Sequence, residues 1–573
     1  MILLGSEPLD ARSEVRPSST RSRMTQDDTQ ARIAKVPFAA LDRYADLFRT
    51  YCTDYPSLSD FFSGDFRDSQ SIEDAAARAA AFSRDRETLV SVLKRQNEHW
   101  GARERSLHNI SRLLDPQAVA VVTGQQVGLL TGPLYTILKT ITAVQVARQL
   151  EAETGRPFIP VFWLEGEDHD VAEATSITIP TDEGPVQFSY DPPKASGGLN
   201  AGPVGRLRLD DRFTAFLGEV ENALQPSEFR DGIMKAVTDS YETGETLLCG
   251  FARYMRKLFP DEGLVFISPD DAELKHLLSP LFRRELEDHA GSYGALQQAT
   301  KRLDSKYASQ INPRPGNLFL LHEKGRVKLE PENGSFHLRG LDQHVELHEA
   351  VDMLNDEPSR FSPNVALRPL AQDTLLPTAV YVAGPGEIAY FAQLKGLYEW
   401  AGIPMPVIYP RASATFVEKR IRRVLDRYEL DLERISGDIN EVIRDVVLTA
   451  FEVDLDGAFS ETEHSVASAF DGLKPLVERI DASLSKSVDA TRAGIVKQIE
   501  NLKERTVRSG KRQQDQIREA IQRAGHHLFP DGHLQERTVS PLYIMTKYGP
   551  ELPVRWISEL STDTTGHQIV EID

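Results

Sequence analysis

Ala118-Val-Ala-Val-Val122, then Thr123-Gly-Gln-Gln-Val-Gly-Leu-Leu-Thr-Gly132-Pro-Leu-Tyr135, is the stretch that decides the fold class. A run of small and β-branched apolar residues reads as a strand buried on both faces, as in a parallel sheet. Thr123-Gly124 ends it, and Pro133 stands where a helix begins, a position that loses nothing by lacking an N–H. Leu134 to Ala152 continues as that helix, and Phe158 to Leu164 is a second apolar strand ending at the acidic cluster Glu165 to Asp170. Strand, glycine turn, helix, strand is a βαβ unit with a right-handed crossover.

Outward from this unit the chain keeps an α/β character. Upstream, Phe38 to Phe62 reads as short helical pieces broken at Pro56. Ile72 to Trp100 reads as one helix, carried by its alanines and by Leu89, Val92 and Leu93. Downstream, Ser176 to Leu209 is a β-rich insertion, and Asp231–Leu258 and Asp271–Leu303 are helical around a short strand, Gly263 to Ile267. Asn317–Leu321 and Val327–Leu329 form an antiparallel pair. Leu375–Val382 is a strand that reaches the turn Gly384-Pro-Gly386, with a helix from Ile388, and Pro406–Tyr409 is the next strand. From Phe416 the pattern turns helical and charged. Ile421, Val424, Tyr428, Leu432, Ile435, Ile439, Val442, Val446 and Ala450 step by three or four, and so do the apolar positions from Leu473 to Leu502. Two striped helices joined by a link near 455–471 predict an antiparallel hairpin or coiled coil, either packed on the core or used for self-association.

At 573 residues the chain holds about three to four domain-sized units. Its formal charge of −20 argues against a general grip on nucleic acid, which needs a basic face. Only Cys52 and Cys249 occur, which excludes a disulfide scaffold and a cysteine-rich metal site and fits a reducing cytosol. Both lie in helical contexts with no neighbouring His in sequence and read as core or surface residues. No apolar run of membrane length and no signal peptide is seen, so no membrane span is expected.

Three clusters could carry chemistry. In the first, Thr123, Gly124, Gln125, Gln126, Gly132 and Tyr135 frame a turn whose N–H groups could meet an anion, with Lys139 one turn inside the helix as a real cation. Its spacing is neither G-x-x-x-x-G-K-[ST] nor G-x-G-x-x-G, so a plain tight βα turn is the competing reading. In the second, Glu167, Asp168, His169 and Asp170 follow a strand of the same sheet, at the edge where ligands bind. Carboxylates around a His can act as acid and base or bind a divalent metal, or can be a solvated loop; no H-E-x-x-H accompanies them. The third runs from Asn364 through Arg368, Gln372 and Asp373 to Gly384, Gly386, Glu387 and Tyr390, with Arg411 beyond. The arginines are candidate forks for carboxylate or phosphate, and Glu387 could hold an amine. The competing readings are an Arg368–Asp373 ion pair and an ordinary glycine turn. No G-x-S-x-G nucleophile elbow is present.

Together with Ser362-Pro-Asn-Val-Ala-Leu-Arg-Pro369, Leu376-Pro377 and Leu534-Gln-Glu-Arg537, these motifs resemble, in order and spacing, the BshC-type cysteine ligase family of bacillithiol biosynthesis. The resemblance covers nearly everything after residue 30. It implies a Rossmann-like parallel-sheet core with connective insertions over 31–415 (insertions at about 176–260 and 285–360); residues 1–30 before it, rich in Ser, Arg, Asp and Thr, read as disordered from their composition. It implies a helical coiled-coil arm over 416–510 that mediates homodimerisation, and a C-terminal segment, 511–573, that returns to the core. It further implies a cytoplasmic ligase joining cysteine to glucosaminyl-malate through an amide bond. ATP is the expected energy source, with Mg²⁺ as a candidate companion and no zinc site evident. Asp168, His169 or Asp170 would take the proton of the sugar amine. Lys139, Arg368 and the glycine-turn N–H groups would hold phosphate or the malate carboxylates. The chain lacks the H-x-G-H and K-M-S-K-S motifs of the synthetases to which that family is likened. A nucleotide-binding coiled-coil scaffold and a metal-dependent amidohydrolase are the alternative readings.

Overall fold

The computed structural model describes residues 33–192, 199–450 and 454–573; the expected N-terminal extension lies outside them. The strands of the central sheet are β1 (Val119–Gln126), β2 (Phe158–Glu165), β3 (Val265–Ile267), β4 (Thr378–Ala383) and β5 (Val407–Pro410). All neighbours are parallel and the spatial order is β5-β4-β1-β2-β3. This is the doubly wound order, in which the chain reverses direction between β1 and β4 and leaves a crevice at their carboxyl ends. The strands are apolar up to their carboxyl ends because both faces are covered: Val161 and Trp163 enter one core layer, Phe162 and Leu164 the other.

The predicted βαβ unit is present. Helix α1 (Tyr135–Thr154) follows the turn and is buried along most of its length. Strand β1 runs on past Thr123-Gly124 to Gln126, because Gly124 lies so close to strand β2 that an added Cβ would sit 3.0 Å from the Trp163 side chain and carbonyl. A glycine here permits the close approach instead of ending the strand. The single helix expected over Ile72–Trp100 is two, Ser69–Ala81 and Arg86–His99, since the Asp85 side chain accepts from the Thr88 N–H and starts a new helix. Further along the chain come α2 (Ala272–Glu287), α3 (Arg368–Leu375) and α4 (Pro385–Phe391).

The insertions are a hairpin, Ser176–Thr181 with Gly184–Ser189, and a five-stranded antiparallel sheet. The latter includes Leu318–His322, Gly325–Glu332 and Phe361–Pro363 and stands over the carboxyl edge of the central sheet. A third sheet joins Ile33–Pro37, Gly566–Ile572 and Ala414–Glu418, with Gly566–Ile572 in its middle.

The region after 416 departs from expectation in three ways. Phe416 and Val417 belong to a strand, which the pairing with Gly566–Ile572 imposes. The first apolar stripe is split into Lys419–Arg427, Leu432–Ile435 and Ile439–Ala450, with Asp431 capping the second piece, and it buries Ile421, Ile435 and Val442 in the core. The arm is α5 (Leu455–Ile480) against α6 (Ser485–Leu528), so the stretch expected as a link is helical and the turn falls at 481–484. Asp481 makes that turn by accepting from the Ser483 N–H and hydroxyl. Helix α6 runs on through Gly510, past the expected end of the arm, to Leu528. Lys474–Asp489 at 2.7 Å, Arg492–Asp471 at 2.9 Å and Lys503–Asp456 at 2.7 Å bind the two helices antiparallel. Leu473, Leu476, Ile480, Leu484 and Leu502 of the second stripe remain exposed. Among the described residues no helix is long and apolar enough to cross a membrane.

Candidate active site

At the crevice between β1 and β4 lies a cleft of about 590 Å³, within the range of small-molecule sites. Its floor is Gly124, Gln125 and Gln126 from the end of β1, Glu165 from the end of β2, and Gly384 to Glu387 after β4. Tyr135 and Lys139 of α1, Arg368 of α3 and Tyr390 of α4 rise at its sides. Asn317, Lys328 and Asn364 come from the antiparallel sheet above. Sequence motifs hundreds of residues apart therefore meet, because the residues after β1, β2 and β4 share one carboxyl edge and α3, which leads into β4, starts beside it.

Several predicted residues turn out to hold this floor together. Lys139 is buried, with Nζ 2.5 Å from Glu387 Oε2, and it donates to the Gly124 carbonyl at 2.8 Å and to Gln125 Oε1 at 3.0 Å. An ammonium has three N–H groups, so all are engaged and none is left for a phosphate. Burial pulls the Lys139 ammonium down, and Glu387 opposes this. Glu387 also accepts from Tyr381 at 2.8 Å and from the Gly384 N–H at 2.7 Å. Burial pushes its pKa up, yet the net shift is downward, because Lys139 and these donors favour the carboxylate. Glu387 thus binds a lysine of the fold, which displaces its predicted use as an amine holder. Arg411 is closed in the same way, on Glu536 at 2.6 Å and on the Ala412 carbonyl at 2.8 Å.

The glycine turn is no anion cradle. Leu130 and Thr131 take positive φ, +53° and +74°. The Leu130 N–H donates to the Tyr241 hydroxyl, the Val127 N–H to the Glu165 carbonyl, and the Gly132 N–H to the Leu129 carbonyl. Thr123 donates from its hydroxyl to the Val382 carbonyl, tying β1 to β4, and neither Thr123 nor Gly132 lines the cleft. Gln372 and Asp373 sit behind the wall. Gln372 donates to Asp373, Tyr398 donates to Asp373 at 2.5 Å, and burial raises the Asp373 carboxyl to about 6. Arg368 makes no ion pair with Asp373.

Arg368 is the cation the cleft leaves open. It donates to the Tyr390 hydroxyl at 2.8 Å and reaches Gln372 at 3.5 Å, with no carboxylate within 4.0 Å among the described residues. Arg314, Lys328 and Arg537 line the same cleft, also without a carboxylate within 4.0 Å among the described residues. A set of cations that face one cavity without a direct ion-pair partner favours a multiply charged anion there. Of these, only Arg368 was singled out as a site residue from sequence. Arg314 and Lys328 belong to the antiparallel insertion, and Arg537 closes the quoted Leu534–Arg537 motif, so no local pattern ties them to the turn at 123–135.

The acidic loop is distributed differently from its prediction. Glu165 lines the cleft. Its Oε2 accepts from the Trp163 indole at 3.0 Å and its Oε1 from the Glu167 N–H at 3.1 Å, which holds the carboxylate rigid with lone pairs to spare. Glu167 is buried against Lys275, which also donates to the Phe361 carbonyl at 2.8 Å, so it cannot serve as a free base. Asp168 and His169 pair at 3.2 Å beside Arg326 and are partly exposed, outside the cleft lining. Asp170 caps the short helix Val171–Ala174, and its carbonyl accepts from Gln126.

Neither cysteine enters the cleft. Cys52 is buried in the core. Cys249 has a His beside it after all: His99, distant in sequence, brings Nε2 to 3.3 Å from its sulfur.

Comparison with known proteins gives a consistent result. Residues 32–412 match the family model described as "Bacillithiol biosynthesis BshC, N-terminal Rossmann-like domain", and residues 414–572 match "Bacillithiol biosynthesis BshC, C-terminal coiled-coil domain". A protein of Salinibacter ruber is 46% identical over 95% of this chain and 99% of its own length. One of Chlorobaculum tepidum is 35% identical over 90% and 94%, and one of Geobacillus kaustophilus 30% over 88% and 94%. Each bears the name "Putative cysteine ligase BshC".

Proposed function

The chain belongs to the BshC family of bacillithiol biosynthesis, and from that premise we propose that its cleft joins the carboxyl carbon of cysteine to the amine of glucosaminyl-malate. The observation that carries the reading is the convergence of Arg314, Lys328, Arg368 and Arg537, none with a carboxylate within 4.0 Å among the described residues, on one cavity at the switch point of the sheet. The malate end of that acceptor carries two carboxylates, and a nucleotide carries a polyphosphate; both are anions that such a cleft attracts.

An amide does not form from a free carboxylate in water without coupling, so ATP with Mg²⁺ is the proposed co-substrate. It leaves as AMP and pyrophosphate, or as ADP and phosphate, according to whether an adenylate or an acyl phosphate activates the cysteine. Arg368, steadied by Tyr390, anchors an anionic group, and Gln125 and Gln126 offer amides to the polar parts of the ligands. The sugar amine attacks the activated carbonyl carbon. The amine must be unprotonated to do so, and we assign its proton to Glu165, whose side chain lines the cleft. This moves the base from the predicted Asp168, His169 and Asp170 to the carboxylate at the end of the same strand.

The arm supports a homodimer. Its exposed leucines and Ile480 form a stripe at helical spacing that a second copy would cover. We place the enzyme in the cytoplasm, where its substrates are made. The test is a mass-spectrometric assay of the full chain with cysteine, glucosaminyl-malate and ATP–Mg²⁺, reading AMP and ADP together. Bacillithiol with a stoichiometric nucleotide product is expected. Folded protein that gives no product with either nucleotide outcome overturns the reading.

A further inference from the structure

Cys249 stands in the first turn of the helix Leu247–Leu258, with its N–H donating to Thr246 Oγ1 at 3.2 Å. His99 ends the helix Arg86–His99 and places Nε2 3.3 Å from the sulfur. Glu245 sits just ahead of Cys249, and one ligand atom from each of the three lies within 4.8 Å of the other two. His99 is exposed, Glu245 half-buried and Cys249 buried, so the donors form a shallow bowl with sulfur at the bottom and an open side.

A thiol–imidazole hydrogen bond would account for the 3.3 Å contact alone. It does not use the carboxylate that stands in reach of both groups. Tetrahedral zinc, with Zn–S near 2.3 Å and Zn–N near 2.0–2.1 Å, sets its sulfur and nitrogen ligands about 3.5 Å apart. The observed pair already has nearly that spacing, with a carboxylate in reach on the same side. The charges also balance: thiolate and carboxylate neutralise a divalent ion while the imidazole stays neutral. The Glu245 carboxylate accepts a hydrogen bond from the Cys249 thiol, and its contact with Arg253 is a weak 3.5 Å.

We propose that His99, Glu245 and Cys249 bind one zinc-class divalent ion, separate from the cleft, with its fourth position taken by water. On binding, the thiol proton leaves to solvent, the sulfur lone pair forms the metal–sulfur bond, and waters of the aqua ion are released. The site links two helices that the sequence separates by 150 positions. The helix bearing Cys249 packs behind the glycine turn: Gly250 faces the Tyr241 ring, whose hydroxyl receives the Leu130 N–H. A metal here braces the back of the wall that carries β1 into α1.

The probe is Co²⁺ added to chelator-stripped full-length protein. A near-ultraviolet thiolate-to-cobalt band saturating at about one equivalent is expected, as is about one equivalent of retained Zn²⁺ in a parallel sample. The only other thiol, Cys52, is buried in the core, so the band reports Cys249. Cys249→Ser abolishes the band. His99→Gln, at an exposed position that does not threaten folding, weakens binding about tenfold or more. No band in the wild type, a band that survives Cys249→Ser, or unchanged affinity in His99→Gln overturns the proposal.

Discussion

Replacing Arg368 tests the cleft most directly. Its guanidinium carries five N–H groups. One donates to Tyr390 at 2.8 Å and another points at Gln372 at a weak 3.5 Å, which leaves at least three for a ligand. Hydrogen bonds to charged groups contribute about 1.5–3 kcal/mol each, and a planar fork binds a carboxylate through two at once. Arg368→Lys keeps the charge and loses the fork, so it should cost about one such bond, or roughly 10- to 150-fold in kcat/KM. Arg368→Met removes the cation and should cost about 10²- to 10³-fold, near the loss of two bonds less what water returns. Arginine that only anchors the anionic substrate contributes equally to the ground and transition states, so the loss should lie in KM with kcat nearly unchanged. The assay is steady-state bacillithiol formation with acceptor and ATP varied in turn. The substrate whose KM rises identifies the anion held. Both variants within about twofold of wild type for both substrates would refute the anion-anchor argument.

Other predictions test the remaining parts of the reading. Glu165→Gln should lower kcat by about 10²–10⁴-fold, the range for a lost general base, while Asp168→Asn and His169→Ala remain near wild type; the reverse ranking would return the base to the loop. Glu387→Gln leaves the buried Lys139 without its counter-charge and should cost about 3–5 kcal/mol, with Lys139→Met/Glu387→Gln less destabilised than the sum of the single changes; additive shifts in Tm would show that the pair is uncoupled. His527 and His567 are held near pKa 4, both chiefly by burial. Their folded values lie below the ordinary value near 6.5, so each contributes stability above pH 6.5 that is lost as pH falls from 6.5 to 4, about 3 kcal/mol per group. Thermal melts across that window should steepen in acid, and His567→Gln, which does not titrate, should flatten the slope; an unchanged slope removes His567 from the account. Leu476→Glu with Ile480→Glu should yield a monomer by light scattering, and a persistent dimer would locate self-association away from the arm.

What could be read in advance followed from whether the deciding forces were local. The run at 118–122 and the one at 158–164 announce buried parallel strands because such strands are apolar on both faces, and their glycine and proline punctuation locates α1. The doubly wound order then predicts that motifs after β1, β2 and β4 share an edge, and they do. The arm's turn was misplaced because apolar positions keep stepping by three and four through 481–484, so periodicity alone cannot show where a hairpin reverses. Asp481 does, by a capping bond visible only once the backbone is bent.

Charge roles were the hardest to read. Lys139, Glu387, Arg411 and Glu167 have the right chemistry for a site, and the fold spends it internally: each meets an opposite charge contributed by another element. Arg368 has the same chemistry and finds no such partner within 4.0 Å. Sequence lists the charges but not which ones are neutralised, because pairing is decided by tertiary proximity. The useful residues of a charged cleft are those that the fold fails to pair. By that criterion the anion site is Arg314, Lys328, Arg368 and Arg537, and the lysine that looked most like a phosphate ligand is the rivet that holds β1 to α4.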